Sequence, residues 1–216
     1  MLSHPFKYVL ILAAVITVVS YGCTGRRDYN VERKSPSGLY SVKVDVRVED
    51  EPSLMAGFNE WGKIQFFKGQ ETLDVREWER KDNFESTFID AHPVIEWLKD
   101  NLLYMGSDQS KQPFLDDIVV LNHSSEKLKY LSVSSDKDDE LVVFDLPARE
   151  EVTLRATLVS EWLSSDGSRK YSLGYGGTSQ SGKEFSNAIE FKQAKPRADG
   201  PIVFQILIND EDLQKR

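Results

Sequence analysis

The chain has 216 residues, of which 40% are hydrophobic, 29% charged and 11% aromatic; these fractions exclude a disordered, collagen-like or low-complexity chain. With 35 acidic against 27 basic residues, a net charge of −8 and no basic cluster, the sequence also excludes a nucleic-acid binder, which needs a positive face to neutralise phosphates. The length allows one domain or two small ones.

At the N-terminus, Lys7 is the only charged side chain ahead of an apolar run from Tyr8 to Val19, which closes on Ser20-Tyr21-Gly22-Cys23. A short positive segment, an apolar run and small residues after it describe an export signal over residues 1–22. The run falls short of the ~20 apolar residues of a membrane span. Gly22-Cys23 at its end resembles the lipobox of bacterial lipoproteins, in which a small residue precedes a cysteine whose thiol receives a diacylglycerol before the signal is removed. Ser20 stands where that family usually carries leucine, and Tyr21 is bulkier than its usual neighbour. The resemblance implies cleavage between Gly22 and Cys23, lipidation of Cys23, and export to the periplasm or cell surface with residues 23–34 as a solvated tether. The alternative is an uncleaved single-span anchor that keeps Cys23 as a thiol. Both tether the chain to a membrane. Cys23 is the single cysteine, so no intramolecular disulfide forms and the core alone holds the fold.

Folded structure is expected from the turn signal Ser35-Pro36-Ser37-Gly38. Tyr40, Val42, Val44, Val46 and Val48 alternate with polar residues, the period of a half-buried strand. Further strands are expected around 63–67, 72–78, 84–89, 94–98 and 102–105, the last two joined by a tight turn at Lys99-Asp100-Asn101. Ser35 to Tyr40 and Val94 to Tyr104 resemble the start and end of one β-propeller blade. The pattern does not repeat, which excludes a closed propeller, and residues 35–106 are expected to form a small twisted meander sheet. After a turn-rich boundary at 106–113, apolar segments at 117–121, 127–133, 140–146, 151–159, 169–175, 184–191 and 201–208 alternate with turns. Seven short strands in about a hundred residues are the signature of an immunoglobulin-like β-sandwich over 113–210. The fold class is therefore all-β.

Chemistry is sparse. Gly177 to Lys183 matches a phosphate-binding loop up to its last position, where Glu184 replaces the Ser or Thr that holds Mg²⁺. A strand-like run follows instead of the helix whose N-terminus would cradle the anion, so no nucleotide and no cofactor is expected. Asp136, Asp138 and Glu140 have the alternate spacing of a calcium loop without its glycine, and His92 and His123 lack partners at zinc spacing; no metal is expected. Asn122-His123-Ser124 is a formal glycosylation sequon. Among Trp61, Trp78, Trp97 and Trp162, the charged surroundings Arg76-Glu77-Trp78-Glu79-Arg80 make Trp78 the candidate interaction anchor, whereas Trp97 reads as core.

The resulting expectation is an exported, membrane-tethered, non-enzymatic binding or assembly module of the cell envelope with an envelope protein as partner. The alternative is an envelope hydrolase with a carboxylate pair. If Cys23 is lipidated, Cys23→Ser should release the protein from the membrane fraction, since stable anchoring takes two or more acyl chains. Mass spectrometry of the membrane form should then show a chain beginning at Cys23; an intact residue 1–22 segment would leave the single-span anchor.

Overall fold

The computed structural model describes residues 25–50, 57–82, 87–92, 94–106, 116–135, 139–156, 162–163, 169–193 and 203–214. The first four strands, β1 (Arg26–Lys34), β2 (Tyr40–Asp50), β3 (Phe58–Lys68) and β4 (Glu71–Asp82), pair in chain order as one antiparallel sheet. The alternation in β2 does what a period of two requires: Tyr40, Val42, Val44, Val46 and Val48 are all buried on its inner face. Residues 26–34, expected as solvated tether, are instead the edge strand β1, paired with β2 from Arg26↔Glu49 to Lys34↔Ser41. Its side chains are almost all exposed. Pairing to the open edge of β2, more than burial, makes it a strand, and its charges discourage further edge-to-edge pairing.

A second correction concerns the expected strand at 84–89. Residues 83–86 lie outside the described residues, and Phe88–Ala91 forms the short helix α1. Thr87 caps it: its hydroxyl accepts from the Asp90 N–H at 3.3 Å and donates to the Asp90 carboxylate at 2.6 Å. This reciprocal cap is a local helix signal that outweighs the β-preference of the surrounding apolar residues.

The remaining strands are β5 (Val94–Lys99), β6 (Leu102–Gly106), β7 (Asp116–Asn122), β8 (Leu128–Ser135), β9 (Glu140–Leu146), β10 (Glu151–Ala156), β11 (Trp162–Leu163), β12 (Arg169–Ser179), β13 (Glu184–Gln193) and β14 (Val203–Ile208). The seven segments expected to form a sandwich are all strands. β13, β12, β8 and β9 lie side by side in one sheet, and β10, β7 and β14 form the facing one. Between them lies a core that includes Ile118, Val120, Leu131, Val133, Leu141, Val143, Leu173, Ile206 and Ile208.

The boundary expected at 106–113 is crossed by strand pairing. β6, on its N-terminal side, pairs with β9 from Leu102↔Val143 to Met105↔Glu140, which adds the β5–β6 hairpin to the sandwich sheet. The four-stranded sheet packs on the other face of this extended sheet. A second core there joins Val42, Val44, Ile64 and Phe66 to Leu103, Met105, Val142 and Phe144. The architecture is three β layers with β6 and β9 in the middle layer. All five residues of β6 are buried, and so is every residue of β9 except Asp145. A strand covered on both faces needs apolar residues at successive positions, and Leu102-Leu103-Tyr104-Met105 and Leu141-Val142-Val143-Phe144 supply them. Trp97 belongs to the second core, with its ring 6.2 Å from that of Tyr40 and 5.6 Å from that of Phe144.

Two polar groups pin the layers. Asn122 is buried, and its side-chain amide donates to the carbonyls of Glu126 at 3.0 Å and Pro147 at 2.8 Å while its oxygen accepts from the Ser124 hydroxyl at 2.7 Å. The sequon asparagine is thus consumed as a turn brace. Asp145 sits at a positive φ of 55° and collects the Tyr40 hydroxyl and the ammonium groups of Lys68 and Lys127, tying β2 and β3 to the middle sheet. Burial alone would raise its pKa, but the hydrogen bonds from Lys127, Lys68 and Tyr40 outweigh it and hold the group below the ordinary carboxylate value. A depressed folded pKa contributes stability above the unfolded value of about 4 and loses it as pH falls towards the folded value. Asp145→Asn keeps a residue that tolerates positive φ and removes only the charge. It should lower stability at pH 7 by about 1–3 kcal/mol. Urea melts should show this gap closing below about pH 4.

Candidate functional site

Chain polarity reverses across the inner face of the four-stranded sheet. The central strands β2 and β3 present valines, Ile64 and Phe66, but the edge strand β4 presents Asp74, Arg76, Trp78 and Arg80 at alternate positions. Their partners on β3 are Phe66, Ile64, Gly62 and Glu60. Glu60 is therefore a carboxylate set among core residues of this sheet, and its side chain is 0% exposed. Burying a carboxylate costs several kcal/mol unless it is paired and hydrogen-bonded, and here three donors meet it: the Trp78 indole N–H at 2.6 Å, the Arg80 guanidinium at 3.0 Å and the backbone N–H of Phe88 at 2.7 Å. The last of these anchors the first turn of α1 to β3.

Gly62 makes room for this arrangement. A Cβ there would overlap the Trp78 indole, which lies directly across the ladder. Trp78, the candidate anchor of the sequence reading, is consequently half-buried, hydrogen-bonded inward and 5.1 Å from the Phe88 ring rather than standing out in solvent. Gly22 and Cys23 lie outside the described residues. Of the other tryptophans, Trp61 is on the outer face of the sheet with Arg47 5.4 Å above its ring.

Next along β4, Arg76 reaches over to the middle sheet. It pairs with Glu140 at the start of β9 and, at 3.1 Å, with Asp74, and its guanidinium stands 5.0 Å from the Phe66 ring and 5.8 Å from the Tyr130 ring. Burial works to lower its pKa, but the neighbouring Glu140 and Asp74 carboxylates win and raise it. Arg76 is permanently charged and locally neutralised. Glu140, one of the residues with calcium-loop spacing, also accepts from the Ser132 hydroxyl and is occupied by these partners. Asp136 and Asp138 lie outside the described residues.

Glu140 and Arg76 mark a line across the middle sheet. On one side, under the four-stranded sheet, cross-strand rows run Val142–Leu103–Trp97 and Glu140–Met105–Ile95. On the other they continue Ser132–Gly176–Ser186 and Ser134–Gly174–Ala188. In these rows Val142, Leu103, Trp97, Met105 and Ile95 lie in the covered half, and glycine, serine and alanine in the half that no described residue covers. Three adjacent strands span about 10 Å across, and this shelf of small residues is the floor of a groove of about 540 Å³ walled by Arg76 and Tyr130. A second hollow of about 380 Å³ continues past Arg76 to Glu60, Trp78, Phe88 and His92. The His92 ring stacks on Phe88 at 4.2 Å.

The glycines of the phosphate-loop-like run serve a different purpose from the one their spacing suggested. β12 extends through Ser179, so Gly176 and Gly177 lie within a strand; Gly182, with φ of 85°, makes the hairpin turn into β13. Lys183 pairs with Glu126 at 2.6 Å. Hydrogen bonds from Lys183, Ser181 and Ser179 hold the Glu126 pKa down at about 2. The loop is braced by its own ion pair and is followed by a strand, as expected from the sequence.

Sequence reasoning missed Glu60, took Arg76 only as a charged neighbour of Trp78, and weighed Glu140 only against a calcium loop. The available signal was charge at alternate positions of β4 sharing a face with Trp78, together with serine and glycine at alternate positions of β8 and β12. No helix among the described residues is long and apolar enough to cross a membrane. No family model, no curated protein and no solved structure matches the chain.

The buried and exposed faces of β4 should respond differently to loss of charge. Glu60→Gln removes the buried charge that meets the Arg80 guanidinium and should cost about 2 kcal/mol. Glu77→Gln breaks only the exposed outer-face pair with Lys63 and should stay within about 0.5 kcal/mol. Urea denaturation of the two variants beside the parent protein measures the contrast.

Proposed function

We propose that the protein is an exported, membrane-tethered binding module of the cell envelope, non-enzymatic, whose ligand seats in the groove beside Arg76. The observation that carries this reading is the uncovered half of the middle sheet. The strand face that the described residues leave open has a floor of serines and glycines beside Arg76, Tyr130 and Glu184, which is a surface for contact rather than an unfinished core. Export and tethering rest on the apolar run ending at Gly22-Cys23.

The competing hydrolase reading needs two carboxylates, one able to give a proton to the ligand and one to assist on its other side. The second hollow holds Glu60 and Glu140, but their arrangement favours binding. Glu60 is enclosed and met at both oxygens by protein donors, and Glu140 is held by Arg76 and Ser132. These carboxylates fix the arginines and the wall of the groove.

The full tethered protein, captured from its own membranes, tests the reading. An envelope component should accompany it and be lost when Gly174→Val narrows the groove floor, while Glu79→Ala on the outer face of β4 leaves the recovery unchanged. Equal recovery with both variants would exclude the groove as the binding surface.

A further inference from the structure

We infer that the groove takes an uncharged carbohydrate chain, an assignment that rests on the binding-module reading above. Charge excludes the first competitor. Arg76 is the cation of the wall, and Glu140 and Asp74 already neutralise it; exposed Glu184 adds a negative group to the lining. An anionic chain finds no net positive potential there, and repulsion from the acidic protein opposes it. Topology argues against an extended peptide, which gains its affinity by adding main-chain hydrogen bonds at a sheet edge. The groove floor centres on β12, whose backbone groups are taken up by β13 on one side and β8 on the other.

A sugar chain matches what the floor does offer. The hydroxyls of Ser134 and Ser186 find no hydrogen-bond partner among the described residues, and a hydroxyl both donates and accepts, as sugar hydroxyls do. Gly174 and Gly176, at alternate positions of β12, remove the side chains that would hold a ring away from the sheet. Tyr130 contributes an amphipathic wall, an apolar ring carrying a polar tip. The shelf runs across the strands from β8 to β13 and is open along its length, so it fits a segment of a chain rather than a single enclosed ring.

The choice of variant follows from the local geometry. A Cβ at Gly174 meets the Ser134 hydroxyl at 3.4 Å, ordinary contact, whereas one at Gly176 meets the Phe185 carbonyl at 2.9 Å. Gly174→Val is therefore the substitution the strand can hold, and exposed Ser186→Ile is an independent second. The full chain is titrated with chitotetraose, cellotetraose, tetra-alanine and a heparin fragment, and the backbone amides of Gly174, Gly176 and Ser186 are followed by NMR. One of the neutral tetrasaccharides should shift these amides saturably. Either variant should weaken that binding by at least about tenfold at an unchanged fold. Amides that shift with heparin or tetra-alanine and not with the sugars would overturn the carbohydrate assignment while leaving the groove a binding site. Amides that respond to none of the four probes would overturn the assignment, and equal capture from membranes with and without Gly174→Val would then remove the binding reading as well.

Discussion

Everything in this fold leans on β9. Its backbone is paired with β8 on one side and β6 on the other, and its side chains alternate between two cores, Leu141 and Val143 into one and Val142 and Phe144 into the other. Each such apolar side chain contributes roughly 1.5–3 kcal/mol on burial, so β9 and β6 together contribute a large part of both cores while occupying few residues. A defect in either strand is felt on both faces at once. Interiors are close-packed and do not flow to fill a gap, and the three layers meet through these shared strands.

The same constraint positions the groove. Among the described residues the four-stranded sheet covers β5, β6 and β9 and reaches β8 at Tyr130, which lies against Phe66; β12 and β13 continue uncovered by it. Arg76 and Glu140 stand at that line, at the transition between an interior that demands apolar residues and a surface that does not. A charge there is half-buried by geometry and has to be matched locally, which is why the polar residues of β4 come as mutually satisfying sets: Glu60 with Arg80 and Trp78, and Glu140 with Arg76. The edge strand gains protection from the same inward charges, since a row of arginines facing the protein discourages a foreign strand from docking.

The sequence makes the strands legible but not their partners. Alternation located β2, and turn signals separated the seven sandwich strands, because period two and turn chemistry are local properties. β1 was hidden because Tyr29 and Val31 are its only apolar inward positions and it depends on the waiting edge of β2. α1 was hidden because its N-cap, Thr87, is joined by an anchor from Glu60, 28 positions from Phe88. The hairpin around Lys99-Asp100-Asn101 was visible; its attachment to β9 was not, although unbroken apolar runs in both strands are what two-faced burial requires. At the site, Trp78 was singled out by its charged neighbours, but their inward orientation follows from Glu60, whose burial no local pattern announces.

The pairing of β7 with β14 has a consequence of another kind. It is a parallel pair that sets Asp117 beside Val203 and Ile118 beside Phe204, joining the first strand of the sandwich to the last of its described strands. Such a ladder closes a long loop before its hydrogen bonds form, and contacts of this separation slow folding. Ile206 and Ile208 enter the core only after the strands between β7 and β14 have been made. During synthesis, β7 must wait with one edge open until β14 has emerged. Closure of the β10-β7-β14 sheet therefore lags behind the local hairpins, and the interval before it is one in which the chain is exposed to aggregation and proteolysis.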